Sequence, residues 1–88
     1  MGKVRIEVFG GDPPCAKCRA SVKLAEEVAK GFGDMVEVKE YTAFSEEGDK
    51  YNIMMTPTVV VNGKVLVTGK VPSRDELLDA VKRELGGE

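Results

Sequence analysis

The chain has 88 residues, of which 42% are hydrophobic, and its formal net charge at pH 7 is -2. This size and composition indicate one globular domain over residues 1–88 and argue against disorder. The interspersed, nearly balanced charges give no electrostatic basis for binding nucleic acid or a membrane surface. No apolar run approaches the roughly 18 residues of a membrane span, and the charged N-terminus lacks the pattern of a signal peptide. We therefore expect a cytoplasmic protein.

The first half of the chain predicts a strand, a helix and a second strand. Val4, Ile6 and Val8 alternate with charged residues, which is the two-residue period of a strand with one buried face. Turn-forming residues at positions 10–14 end this strand. The helix that follows carries an apolar stripe, formed by Cys18, Ser21, Val22, Ala25, Val28, Ala29 and Phe32. A second strand from Met35 to Tyr41 completes a unit in which the two strands run parallel.

The second half predicts a short helix, a hairpin and a last helix. The short, solvated helix is expected between Phe44 and Tyr51. Strands at Thr58 to Val61 and Val65 to Val67 are joined by Asn62-Gly63, because both of these residues accept the positive φ of a type I′ turn. The segment from Ser73 to Glu76 has the spacing of a capping box at the start of a helix.

This order, β-α-β-α-β-β-α, predicts an α/β fold with a four-stranded mixed sheet and helices on both faces. The polar residues that alternate along the first two strands indicate that one face is only partly covered there.

The chemistry is concentrated in the two cysteines of the chain, Cys15 and Cys18. There is no histidine, and the serines that could act as nucleophiles have no nearby base. Helix phase makes the cysteines unequal: Cys15 lies at the helix start, among unpaired N–H groups, whereas Cys18 lies one turn in, on the buried stripe. A helix N-terminus and the cations of Lys17 and Arg19 lower a thiol pKa, although Asp12 opposes them. We predict that Cys15 is the nucleophile, with a depressed pKa, and that Cys18 is the resolving thiol.

Three further segments accompany the cysteine pair: Met55-Thr56-Pro57 before the hairpin, Asn62-Gly63-Lys64 in it, and Val71-Pro72-Ser73 after it. With Cys15-Ala16-Lys17-Cys18, they resemble the thioredoxin/glutaredoxin fold over about Val4 to Leu85. More closely, the chain resembles the small thioredoxin-like proteins called redox-active disulfide proteins. It departs from ordinary thioredoxins in lacking Trp-Cys-Gly-Pro-Cys and in placing Phe9 where those proteins keep a buried aspartate.

The resemblance implies a thiol–disulfide oxidoreductase that reduces disulfides through a redox-active Cys15–Cys18 disulfide, with no other cofactor and no metal. It also implies a cis Thr56-Pro57 bond beside the cysteines, where the backbone of Thr56 pairs with a substrate segment as an added strand. Met54 and Met55 are either an adaptable apolar lip for substrates or core filler. The substrate-contact residues are predicted to be Pro14, Ala16, Lys17, Met55, Thr56, Pro57, Lys70 and Val71.

The expected partners are disulfide-containing proteins and a separate disulfide reductase, because nothing in the chain is typical of nicotinamide or flavin binding. We expect a monomer. Three alternatives stay open: a structural disulfide, a metal-handling or protein-binding module with Cys15 and Cys18 as ligands, and a glutaredoxin-like enzyme that uses glutathione or another small thiol. The metal-binding hypothesis requires ligands besides the two cysteines, because a zinc or iron–sulfur site needs about four ligands.

Overall fold

The computed structural model describes residues 4–11, 16–42, 45–51, 53 and 55–86. The elements follow the predicted order, and their bounds lie within one or two residues of those expected. They are β1 (Val4–Gly10), α1 (Ala16–Lys30), a 3₁₀ turn (Gly33–Met35), β2 (Val36–Thr42), α2 (Glu46–Lys50), β3 (Thr58–Val61), β4 (Lys64–Thr68) and α3 (Arg74–Leu85).

The strands of the described residues form one four-stranded mixed sheet in the order β2-β1-β3-β4. β1 and β2 are parallel, as predicted, whereas β1 pairs antiparallel with β3 and β3 pairs antiparallel with β4. Asn62 and Gly63 join β3 to β4 with φ angles of 49° and 83°, which confirms the predicted turn with two positive φ values. Because β1 and β3 are antiparallel, the last residues of β1 lie beside the first residues of β3.

One face of the sheet carries the main hydrophobic core. Alternate residues of β1 point to this face, and α1 and α3 pack over it with their buried stripes. From β1, α1 and α3, the buried residues of this core are Val4, Ile6, Val8, Ala25, Val28, Leu77 and Val81. The predicted capping box fixes the start of α3, because the Glu76 amide donates to Ser73 Oγ and the Ser73 amide donates to Glu76 Oε1.

The opposite face of β1 is better covered than the sequence predicts. Arg5 is exposed, as its polar character suggests, but Glu7 is only 5% exposed. The reason is that Tyr51, directly after α2, lies over this face and its hydroxyl donates a 3.2 Å hydrogen bond to Glu7 Oε1. Phe9 lies on the same face and stacks on Tyr41, with ring centroids 5.4 Å apart. These aromatic residues therefore form a second, smaller packed layer.

Tyr51→Phe is expected to lower the free energy of unfolding by about 1–2 kcal/mol at neutral pH, because a buried carboxylate loses its donor. Burial, and then the charge of Glu7, raise the pKa of the Tyr51 hydroxyl above its ordinary value. The stabilisation from this hydroxyl is therefore complete below the unfolded tyrosine pKa of ~10 and declines as pH rises through the folded pKa. Urea unfolding of both proteins should show the difference between them shrinking above pH ~10. A difference that widens there would contradict this assignment.

Candidate active site

Cys18 is buried where α1 meets the end of β1. The residue is 1% exposed, which confirms the prediction that it lies on the core-facing stripe of α1. A Cβ built on Gly10 would lie 3.1 Å from Cys18 Cβ and 3.3 Å from Cys18 Sγ. The last residue of β1 therefore leaves just enough room for this thiol, and it does so because it has no side chain.

The Thr56-Pro57 bond is cis, as the resemblance implied, and it lies at the same end of the sheet. Phe9, next to last in β1, pairs with Thr58, the first residue of β3. Because the two strands are antiparallel, Gly10 at the end of β1 lies beside Pro57, which directly precedes β3. Cys18 packs on Gly10, and the cis proline is therefore brought to the cysteine end of the molecule. Thr56 is half-buried and Pro57 is buried.

Two hydrogen bonds fix the segment around this proline. Thr58 Oγ1 donates to the Met55 carbonyl at 2.6 Å, and the Gly69 amide donates to the Pro57 carbonyl at 2.8 Å. The first bond closes a tight turn over Met55 to Thr58, and the second ties this turn to the loop after β4. The segment from Met55 to Pro57 is thereby anchored on both sides.

The other predicted contact residues fall into three groups. Ala16, Lys17 and Lys70 are exposed, and Val71 is half-buried. Met55 is 59% exposed, which favours the lip over core filler for this side chain. The third group is Pro14 alone, which lies outside the described residues. The predicted nucleophile Cys15 also lies outside them, and so do Met54 and Asp12, which was expected to oppose the cations near Cys15.

The serines that the sequence offered as nucleophiles have structural roles. Ser21 Oγ donates to the Lys17 carbonyl within α1 at 3.0 Å. Ser45 Oγ accepts the Gly48 amide at the start of α2, and Ser73 caps α3. Each hydroxyl is thus engaged with backbone, which agrees with the sequence argument that chemistry resides in the cysteines.

Gly10 was missed as a site residue because it was interpreted only as part of a turn. Gly10→Ala is expected to push Cys18 by a few tenths of an ångström and to lower the free energy of unfolding by about 1 kcal/mol. It should also slow the step in which Cys18 acts, measured as the rate of intramolecular disulfide formation. Gly31→Ala is the matched control, because a Cβ there meets only the Val28 carbonyl at an ordinary 3.5 Å. An equal effect in both variants would contradict the role of Gly10.

A groove of about 550 Å³ lies elsewhere, lined by Arg5, Glu7, Glu37, Tyr51, Asn62 and Gly63. It includes the hairpin turn, which is at the opposite end of the sheet from Cys18, and we do not assign it to the chemistry. Among the residues that the structure describes, no group of three or more histidine, cysteine, aspartate or glutamate side chains could hold a metal ion. Within the same ranges, no helix has the length and apolar character needed to cross a bilayer.

The chain matches the family model described as a thioredoxin domain over residues 4–82. A protein named thioredoxin from Methanocaldococcus jannaschii is 42% identical, with 97% of this chain and 100% of the relative aligned. A probable thioredoxin from Methanothermobacter thermautotrophicus is 34% identical, with 93% of this chain and 96% of the relative aligned.

Solved structures agree with this fold. Chloroplastic thioredoxin z superposes with a TM-score of 0.76 at 20% identity, covering 97% of this chain and 80% of that one. A mutant thioredoxin from Halobacterium salinarum gives a TM-score of 0.69 at 21% identity, covering 92% and 74%. The family model, the relatives aligned over nearly their whole length and the fold all indicate the same family. The chain therefore belongs to the thioredoxin family and is a thiol–disulfide oxidoreductase with disulfide reductase activity.

Proposed function

We propose that Cys15 and Cys18 are the redox pair of this reductase, with Cys15 as the nucleophile and Cys18 as the resolving thiol. The observation that carries the proposal is the burial of Cys18 against Gly10, at the end of the sheet that also holds the cis Thr56-Pro57 bond. A buried thiol is protected from external disulfides, so its natural role is to attack a neighbouring sulfur within the same protein.

The proposed reaction has two exchange steps. The Cys15 thiolate attacks one sulfur of the substrate disulfide; that disulfide breaks, the Cys15–substrate bond forms, and the other substrate sulfur leaves as a thiolate that takes up a proton. Cys18, after losing its proton, attacks the Cys15 sulfur and releases the second substrate thiol. Two electrons have then passed to the substrate, and the protein carries a Cys15–Cys18 disulfide.

Substrate binding is proposed to use the segment beside the redox pair. Thr56 supplies backbone groups for an added strand, and Pro57 forms the wall behind it. Met55, Lys70 and Val71 are proposed to extend this wall, and Pro14, Ala16 and Lys17 are proposed as further contacts because they adjoin the cysteines in the sequence. The anchoring of Met55 and Pro57 by hydrogen bonds supports this, because a fixed edge costs little conformational entropy when a substrate binds.

Membership of the family implies disulfide-containing substrates and a partner reductase that restores the dithiol. We further propose that the chain acts as one domain and as a monomer, without metal or organic cofactor. A cytoplasmic setting is consistent with this chemistry, because the reducing poise there returns such a pair to the dithiol form.

The test is reduction of insulin disulfides by the purified protein, driven by alternative reductases and accompanied by metal analysis and a thiol count. The proposal predicts turnover with at least one donor, two thiols in the fully reduced protein and none after the protein has been oxidised. A protein that reduces no disulfide with any donor but carries stoichiometric metal would instead be a metal-handling module. Turnover with glutathione alone would place the protein with the glutaredoxin-like enzymes.

A further inference from the structure

We infer that Met55, seated on Gly69, is a specificity-determining contact that makes the enzyme prefer disulfides flanked by a large apolar side chain. The inference rests on the proposed function and deepens it: it names a substrate class, and it assigns to Gly69 the positioning of Met55.

The position of Met55 depends on the absence of a side chain at Gly69. A Cβ built on Gly69 would lie 2.8 Å from Met55 Cε, 3.3 Å from Sδ and 3.4 Å from Cβ. The methionine side chain therefore lies along the backbone of Gly69, in space that any other residue would fill. Gly69 also has a φ of 76°, a conformation that favours glycine.

The backbone on both sides of this contact is fixed. The Met55 carbonyl accepts from Thr58 Oγ1, and the Gly69 amide donates to the Pro57 carbonyl. Met55 and Gly69 are thus tied to the same cis-proline turn. The Met55 thioether therefore rests on a fixed segment of backbone.

One side of Met55 rests on Gly69, and yet the residue remains 59% exposed. Met35 is similarly exposed, at 52%, so exposure alone does not mark a binding residue. The two differ in place: Met35 precedes β2, at the far end of the sheet, whereas Met55 adjoins Thr56-Pro57 at the cysteine end. An apolar substrate side chain next to the reacting cystine would cover the exposed part of Met55, and a flexible, polarizable thioether adapts to many shapes.

The experiment compares two disulfide peptides that differ only in a leucine or a serine beside one half-cystine. The fully reduced protein is mixed with each peptide, and the second-order rate constants give a leucine-to-serine ratio. We expect a ratio of about five to ten, in the range for partial burial of one leucine side chain. Both rates come from one sample, so a loss of folded protein cancels in the ratio.

Four single variants locate the effect. Met55→Ala should bring the ratio close to one, and Gly69→Ala should reduce it at least twofold by displacing the thioether. Gly63→Ala imposes a similar positive-φ strain, at 83°, but a Cβ there approaches only the Tyr51 hydroxyl, at 3.9 Å. Gly63→Ala and Met35→Ala are therefore expected to keep the wild-type ratio.

The double variant tests whether Gly69 acts through Met55. Once Met55 is alanine, Gly69→Ala should leave the ratio unchanged. A wild-type ratio of one, a ratio that survives Met55→Ala, or an equal loss in Gly63→Ala would overturn the inference while leaving the proposed function intact. Reduction of neither peptide would overturn the proposed function and the inference with it.

Discussion

Replacing Cys15 by serine is expected to reduce disulfide reduction to the rate without enzyme. A serine hydroxyl supplies no thiolate at neutral pH, and the attacking species in disulfide exchange is the thiolate. Replacing Cys18 instead removes only the second step, so the first attack should still occur once per molecule. The measurement is reduction of a disulfide substrate under multiple-turnover and single-turnover conditions.

The two variants control for each other, because both replace one sulfur atom by oxygen and they differ only in which of the two exchange steps is removed. Equal single-turnover rates for Cys15→Ser and Cys18→Ser would contradict the unequal roles. A Cys15→Ser protein with wild-type turnover would remove Cys15 from the mechanism altogether.

Phe9→Ala is expected to lower the free energy of unfolding by about 3–5 kcal/mol, the usual cost of truncating a buried aromatic ring. Phe9 is fully buried, stacks on Tyr41 and packs against Tyr51 at a centroid separation of 5.7 Å. Since domains of this size are stable by only about 5–10 kcal/mol, this one change should remove a large part of the total. Urea denaturation followed by circular dichroism measures the loss.

Val65→Ala is the control for Phe9→Ala, because Val65 lies in an edge strand and is 48% exposed. It should cost less than about 1 kcal/mol. If Phe9→Ala cost no more than Val65→Ala, the aromatic layer over β1 would not contribute to stability as described.

The fold was predictable where short stretches of sequence determine local structure. The alternation of Val4, Ile6 and Val8 identified β1, Asn62-Gly63 identified the hairpin, and the Ser73-to-Glu76 capping box identified the start of α3. Each of these signals is complete within a few residues. The phase of α1 likewise placed Cys18 on the buried side, and the structure confirms it.

The features that sequence reasoning missed depend on residues far apart in the chain. Glu7 looked like a solvent-facing residue of a strand until Tyr51 was found to cover it. No sequence pattern marks Gly69 as a site residue, because its close approach to Met55 exists only after β4 has returned to the cis-proline turn. No local pattern carries such information. The roles of Cys15 and Cys18 stay predictions, since they concern reactivity rather than placement.

The most direct test of these roles is covalent trapping followed by mass spectrometry. Reduced Cys18→Ser protein, mixed with a disulfide substrate, is expected to accumulate one mixed disulfide per molecule on Cys15, and reduced Cys15→Ser protein to accumulate none. The opposite pattern, with adducts on Cys18 and none on Cys15, would contradict the assignment of nucleophile and resolving thiol.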